Sequence, residues 1–299
     1  MAYFTIKEIE NLCGIKAHIL RVWEQRYQLS VTQKKKSQRR IYDNEDLKQL
    51  LRISFLYHNG WKISRITGLT NSKMMEEVCK FQVNSTTYKT FIMQMIDAAV
   101  DFNEEAFIRI LDGLIEKIGF EKCITDVCYP FLKRIGMLWT RNNIIPALQH
   151  FSSYIIQNRI IAETDKFKAS NKKPGMILFS PGGANDELPL LFIYYLLRKN
   201  DWSIIYLGIH IRKEIVKQFA GKDSIEYLFL HLISNFAGWD ADMYFEDLCK
   251  CFPGKKITVT GTAVHQLQRK FTNLILLKSD KEVYQFIENN KLEPVVNER

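Results

Sequence analysis

Thr5-Ile-Lys-Glu8 opens the segment that decides the fold of the first quarter of the chain, which runs on through Leu20-Arg-Val-Trp-Glu-Gln-Arg-Tyr27 to Arg39-Arg-Ile-Tyr42. The Thr5 hydroxyl can accept the backbone N–H of Glu8 while the Glu8 carboxylate reaches back to Thr5, the reciprocal pair that starts a helix. Phe4 and Ile9 stand at the staple positions on either side of that pair. The pattern predicts a first helix from about Ile6 that buries Ile6, Ile9 and Leu12 and stops at Gly14. A second helix, from about Lys16 to Arg26, follows at once. Its apolar positions Ile15, Ile19 and Val22 fall on one side, while His18, Arg21 and Gln25, at i, i+3 and i+7, share the opposite side. Trp23 is expected to pack rather than to contact a partner. Two short helices joined by a Gly-containing turn, with a polar outer face on the second, make a helix-turn-helix.

Beyond it, Gln33-Lys-Lys-Lys-Ser-Gln-Arg-Arg40 places five cations in eight residues. Alone, such a run is a solvated loop; directly after a recognition-type helix it suits a wing laid along phosphates. Asp43 is positioned to cap a third helix, whose Leu47, Leu50, Leu51 and Ile53 close a small core before Gly60. Charge follows the same division. Residues 1–80 hold 9 Lys and 6 Arg against 8 acidic residues, a balance of +7, whereas the other 219 residues hold 27 basic and 25 acidic, a balance of +2. Nearly all the excess positive charge therefore sits where a polyanion would be gripped.

The rest of the chain reads differently. At 299 residues, with 46% hydrophobic and 25% charged residues, it has room for several ordinary globular cores. No apolar run is long enough to span a bilayer, and MAYFTIKEIE lacks the layout of a signal peptide, so a cytoplasmic protein without a membrane partner is expected. Six cysteines without a C-x-x-C pair fit free thiols in a reducing compartment, and no metal site is expected. Residues 86–168 are helical by period, with apolar stripes such as Phe107, Ile110, Leu111 and Leu114, and read as a helical bundle. From Pro174 onward, apolar runs at Met176–Phe179, Ser203–Leu207, Tyr227–Ile233, Lys256–Thr260 and Leu274–Leu277 alternate with amphipathic helices. That order predicts a five-stranded parallel α/β sheet of Rossmann or flavodoxin type, with any ligand at the carboxyl ends of its strands. The loop Ser180-Pro-Gly-Gly-Ala-Asn-Asp186 lies there, but it is not G-x-G-x-x-G, so a dinucleotide reading fails. No catalytic constellation stands out, and an enzyme is not expected. Three blocks result: 1–75, 82–168 and 174–299.

The first block resembles the DNA-binding domain of the MerR family, through Thr5-Ile-Lys-Glu-Ile, Gly14-Ile, Leu20 to Tyr27, Arg39 to Tyr42 and Asp46-Leu47. The resemblance implies a winged helix-turn-helix bound to a double-stranded operator as a dimer, working with RNA polymerase. By position it makes Arg21, Tyr27, Arg39, Arg40 and Tyr42 DNA contacts. Lys34 and Lys35 join them through the basic run, and Lys16, His18 and Gln25 through the face they occupy. The remaining two blocks resemble the cobalamin-binding module of corrinoid methyltransferases and of MerR-type cobalamin photoreceptors, on Gly136-Met-Leu-Trp139, Gln149-His150, Leu190-Leu-Phe192, Tyr206-Leu-Gly208 and Ile233-Ser234. This resemblance implies a pocket around Trp139, His150, Asp186, Ser234 and Gly261. The departures fall on the chemistry. Asp186 stands where the family's cobalt-ligating His should be, Pro189 where its Gly should be, and Thr140 where the photoreceptors carry an upper-ligand His. A carboxylate is a hard oxygen donor in place of an imidazole. The expectation is a regulator whose sensor or dimerisation module lacks the axial His and binds no cobalamin. The alternative is a regulator or carrier that holds a corrinoid without that ligand.

Overall fold

The computed structural model describes the chain except for residues 1–2, 28, 30–40, 85–87, 137–143, 170–174, 182–186, 222–223, 233–240, 268, 270 and 290–299. It forms two compact units, Met1–Ile156 and Gln157–Arg299.

In the first unit, the capping box at Thr5 is formed as read. Thr5 N donates to Glu8 Oε2 at 2.6 Å and Glu8 N to Thr5 Oγ1 at 3.4 Å, starting α1 (Ile6–Cys13). Gly14 ends α1 with φ 72°, a left-handed cap for which glycine is the default. The chain then enters α2 (Ala17–Tyr27). Strands β1 (Phe4–Thr5) and β2 (Ile41–Tyr42) pair antiparallel, Phe4 opposite Tyr42. A second capping box, Asp43 with Asp46, opens α3 (Asn44–His58). Helices α4 (Ile63–Ile66) and α5 (Asn71–Asn84) follow.

The buried side of α2 differs from the sequence reading. Leu20, Trp23 and Glu24 are buried, Ile19 is half-buried and Val22 is 52% exposed. Trp23 sets this rotation by packing edge-on to Tyr57 of α3, centroids 4.9 Å apart.

The helical part of the same unit comprises α6 (Lys89–Val100), α7 (Glu104–Ile118) and α8 (Phe120–Cys123). Helix α8 runs through a π-helical turn at Ile124–Cys128 into α9 (Tyr129–Gly136). Helix α10 (Ile144–Thr164) extends from this unit into the second. Phe107 anchors the bundle, its ring 5.5 Å from that of Phe131 and 6.1 Å from that of Phe151.

The second unit is the expected parallel sheet. Its strands β3 (Gly175–Phe179), β4 (Ser203–Gly208), β5 (Ile225–His231), β6 (Lys256–Thr260) and β7 (Leu274–Leu277) lie in the order β4-β3-β5-β6-β7. Helices α11 (Leu188–Lys199), α12 (Lys213–Ala220), α13 (Ala241–Cys251) and α14 (Asp280–Asn289) alternate with them. Ile177, Phe179, Leu228, Leu230, Ile257 and Val259 share one core with Val216 of α12 and Phe245 and Leu248 of α13. Alternation sends Tyr227 and Phe229 to the other face, where Phe286 of α14 stacks on Trp202 at 5.7 Å. The chain runs from β3 to β4 on one side and then crosses back to β5 on the other, so the topological switch point lies at the carboxyl ends of β3 and β5.

Candidate nucleic-acid interface and carboxyl edge of the sheet

The exposed surface of α2 carries His18, Arg21 and Gln25, all in solvent and all on the side away from Trp23. Lys16 precedes them in the turn, its Nζ 2.9 Å from Glu10 Oε1. Glu10 also accepts Ala17 N–H at 3.1 Å, so one carboxylate of α1 closes the start of α2. The Lys16 side chain and the Ala17 N–H together hold that carboxyl below the ordinary range. Tyr27 is half-buried at the end of α2, with the Arg26 guanidinium 5.8 Å from its ring centroid.

Tyr42 corrects the sequence reading. It is fully buried and its hydroxyl donates to Glu24, itself buried on the inner face of α2. A phosphate cannot reach it, and its place is in the core that joins β2 to α2. Lys34, Lys35, Arg39 and Arg40 lie outside the described residues. Sequence reasoning missed a second basic and aromatic feature of the same unit. Arg65 of α4 lies 3.9 Å from the Trp61 ring centroid, and Lys62 between them is exposed. The spacing W-K-x-x-R was the available signal.

In the second unit the carboxyl edge of the sheet gathers polar groups. Ser180, just past β3, donates from Oγ to the His231 carbonyl of β5 at 2.8 Å. Glu187, immediately before α11, accepts from Tyr206 Oη of β4 at 2.8 Å. Burial, and the Glu187 carboxylate beside it, raise the Tyr206 phenol. A side chain at Gly208 would stand 3.1 Å from Glu187 Oε1, so glycine lets the two elements approach. The His231 imidazole is buried and its Nδ1 has no hydrogen-bond partner among the described residues; burial pulls it down to about 4, holding the ring neutral. Gly261 ends β6 with φ 101°, and a Cβ there would meet the Leu232 carbonyl oxygen at 2.1 Å. Backbone approach alone therefore accounts for that glycine.

Pro189 occupies the first turn of α11, where its missing N–H costs nothing. His150 is exposed on α10. Trp139, Asp186 and Ser234 lie outside the described residues. Among the described residues, no cluster of His, Cys, Asp or Glu is arranged to hold a metal, and no helix is long and apolar enough to cross a membrane. Burial pushes the Cys13 thiol up to about 12 and the Cys249 thiol to about 11, so both stay protonated.

A helix-turn-helix with a polar outer face carrying Arg21, followed by a helical bundle and a five-stranded parallel sheet, is the layout of a DNA-binding regulator with a Rossmann-type module. Residues 4–73 match the family described as MerR HTH family regulatory protein, and residues 92–162 match the B12 binding domain. The HTH-type transcriptional repressor CarH of Myxococcus xanthus is 21% identical over 273 residues, covering 89% of this chain and 91% of that one. The repressor CarA of the same organism is 22% identical over 205 residues, covering 68% and 67%. The regulator MlrA of Salmonella typhimurium is 31% identical over 77 residues, covering 26% and 32%. Among solved structures, the monomethylamine corrinoid protein of Methanosarcina barkeri has a similar fold. It gives a TM-score of 0.51 at 15% identity, covering 69% of this chain and all of that one. The chain is a MerR-type transcriptional regulator with a B12-binding-type domain.

Proposed function

We propose that this regulator binds a double-stranded operator as a homodimer or larger assembly and acts on transcription with RNA polymerase, in the cytoplasm and without catalysing a reaction. The observation that carries the reading is the outer face of α2, where His18, Arg21 and Gln25 stand in solvent on a helix whose other side is packed. His18, Arg21 and Gln25 would read base edges in the major groove, with Lys16 and Tyr27 beside them. Lys34, Lys35, Arg39 and Arg40 would bind phosphates on the wing. A two-fold site needs a second copy about 34 Å away, one helical turn along the duplex. We place the dimer contact beyond residue 75. Selection of a duplex from random sequences by the intact protein, then titration of the recovered duplex, tests this reading. Tight, sequence-selective binding by a dimer is expected, and its retention after deletion of residues 1–75 would overturn the assignment.

For the domain boundaries we retain 1–75, 82–168 and 174–299, since the sequence changes character at the polar joints between them. For the cofactor, the residues present do not fit a histidine-ligated cobalamin. Asp186 supplies a carboxylate where an imidazole is needed, Pro189 stiffens the start of α11, and Glu187 beside them is engaged with Tyr206. We therefore read the second unit as a sensor or dimerisation module without that cofactor in its His-ligated form. One observation favours the second reading, a corrinoid held without a lower His. His231 keeps a buried Nδ1 without a partner among the described residues at the switch point, where ligands of such sheets sit.

A further inference from the structure

The turn of a helix-turn-helix fixes how the recognition helix is offered to DNA, and here two carbonyls at that turn are held from outside it. The last carbonyls of any helix lack partners within it. In α1, the Cys13 carbonyl accepts from Ser54 Oγ of α3, inside the DNA-binding domain. The Leu12 carbonyl instead accepts Arg134 Nε at 2.8 Å, together with a second bond from Arg134 Nη2. Arg134 belongs to α9, in the helical bundle. A cation at a helix C-terminus also meets the negative end of the helix dipole.

A second connection stands on α3. Asn44, Lys48 and Arg52, at i, i+4 and i+8, form one stripe along that helix and meet the C-terminal end of α6. Asn44 Nδ2 donates to the Val100 carbonyl at 3.2 Å, Lys48 pairs with Asp101, and Arg52 Nη2 lies 3.0 Å from Asp97 Oδ2. The Arg52 and Asp97 side chains are only 13% and 14% exposed, so this pair is largely desolvated, unlike an ordinary surface ion pair. Between the two helices lies a groove of about 340 Å³, lined by Lys48, Arg52, Met75, Gln94, Asp97 and Asp101 among others. Arg52 Nε and Asp97 Oδ1 have no hydrogen-bond partner among the described residues. The contact is polar and incompletely filled, the composition of an interface that can be parted rather than of a core.

We propose that the bundle clamps the helix-turn-helix at two points, Arg134 on the Leu12 carbonyl and the Asn44–Lys48–Arg52 stripe on the end of α6, and that this clamp sets the angle of α2. Any signal that displaces α6 or α9 then re-aims the recognition helix. Helix α9 is suited to that role, because Arg134 lies within it and Trp139, the residue implied in the corrinoid pocket, follows its end by three positions. The effect on DNA rests on the operator-binding reading above; the clamp itself does not.

The test uses the full chain with Arg134→Met, with Arg52→Glu, and with Arg52→Glu combined with Asp97→Arg, which restores opposite charges. Amide hydrogen exchange is followed in peptides spanning residues 9–16 and 95–103, with β3 as internal reference. Each single variant is expected to speed exchange in both peptides about tenfold or more without changing β3, and the charge-swapped pair to return it toward the parent rate. The same singles should weaken binding to the selected operator about tenfold, with recovery in the swapped pair. Unchanged exchange in both singles, or a swapped pair as fast as Arg52→Glu, overturns the clamp. Faster exchange with unaltered operator affinity overturns its control of α2. A parent protein that binds no operator refutes the DNA reading while leaving the exchange pattern, and so the clamp, intact.

Discussion

Replacing Tyr42 by Phe separates a core role from a DNA-contact role at one atom. The ring keeps its volume, so no cavity forms and β2 keeps its register with Phe4. What disappears is the hydroxyl donor to Glu24, a buried carboxylate on the inner face of α2. Hydrogen bonds to charged groups contribute about 1.5–3 kcal/mol, and removing one partner leaves the other incompletely solvated. A loss of about 2 kcal/mol in unfolding free energy is therefore expected. For a unit of about 150 residues that corresponds to a fall of about 4–8 °C in Tm, measurable by circular dichroism or calorimetry. Operator affinity measured well below Tm should stay within about twofold of the parent, because the lost hydroxyl never faces solvent, and the salt slope should not move. Unchanged Tm with a large loss of DNA affinity would refute the reasoning and return Tyr42 to the phosphate contacts.

Operator binding by the parent should weaken with salt at a log–log slope of about −5 or steeper if six or more phosphates are neutralised; a slope near zero would remove the wing from the interface. Neutralising Lys34, Lys35, Arg39 and Arg40 together should weaken all duplexes alike, whereas Arg21→Ala should cost at least about 1 kcal/mol and relax selectivity. Mixed in the dark with adenosylcobalamin or methylcobalamin and gel-filtered, the protein should not retain cobalamin with a histidine-ligated spectrum; stoichiometric retention in that form contradicts the cofactor reading. Because burial lowers His231 to about 4 against an ordinary 6.5, the folded state binds its proton less tightly than the unfolded chain. Its contribution is complete above about pH 6.5 and is lost as pH falls toward 4, about 3 kcal/mol in all. Urea midpoints at pH 7 and pH 4.5 should differ more for the parent than for His231→Gln; equal differences would show the ring is not kept neutral by the fold.

Much of the architecture was legible because its signals are local. The capping box at Thr5, the cap at Asp43, the stop at Gly14 and the strand runs need only neighbouring residues, and the strand ends differ from the readings by no more than two positions. The side of α2 that packs was not. Ile15, Ile19 and Val22 make a plausible apolar arc, but Leu20 and Trp23 make another. Only the Trp23 contact with Tyr57, more than thirty residues later, chooses between them. Tyr42 was misplaced for the same reason, since nothing near it in sequence announces Glu24 as its partner. The stripe Asn44, Lys48, Arg52 is indistinguishable from a solvated helix face until Asp97 and Asp101 are brought against it.

The core of the second unit is built independently of the chemistry at its carboxyl edge. Its stability rests on residues away from the carboxyl edge. Trp202 is fully buried, donates to the Ile287 carbonyl at 3.0 Å and packs against Tyr227 and Phe286, while the opposite face is filled by Phe179, Leu230, Val259 and Phe245. None of these side chains depends on a His at position 186 or a Gly at 189. At the edge itself, the constraints that persist are backbone ones. Gly208 admits Glu187, and Gly261 admits the end of β5, where any side chain would collide with the Leu232 carbonyl. A side chain at Gly261 would force the ends of β5 and β6 apart. Geometry alone accounts for the two glycines, so their presence is no argument for a corrinoid. The buried Nδ1 of His231, without a partner among the described residues, is different, because it carries a desolvation cost that the packing described does not explain.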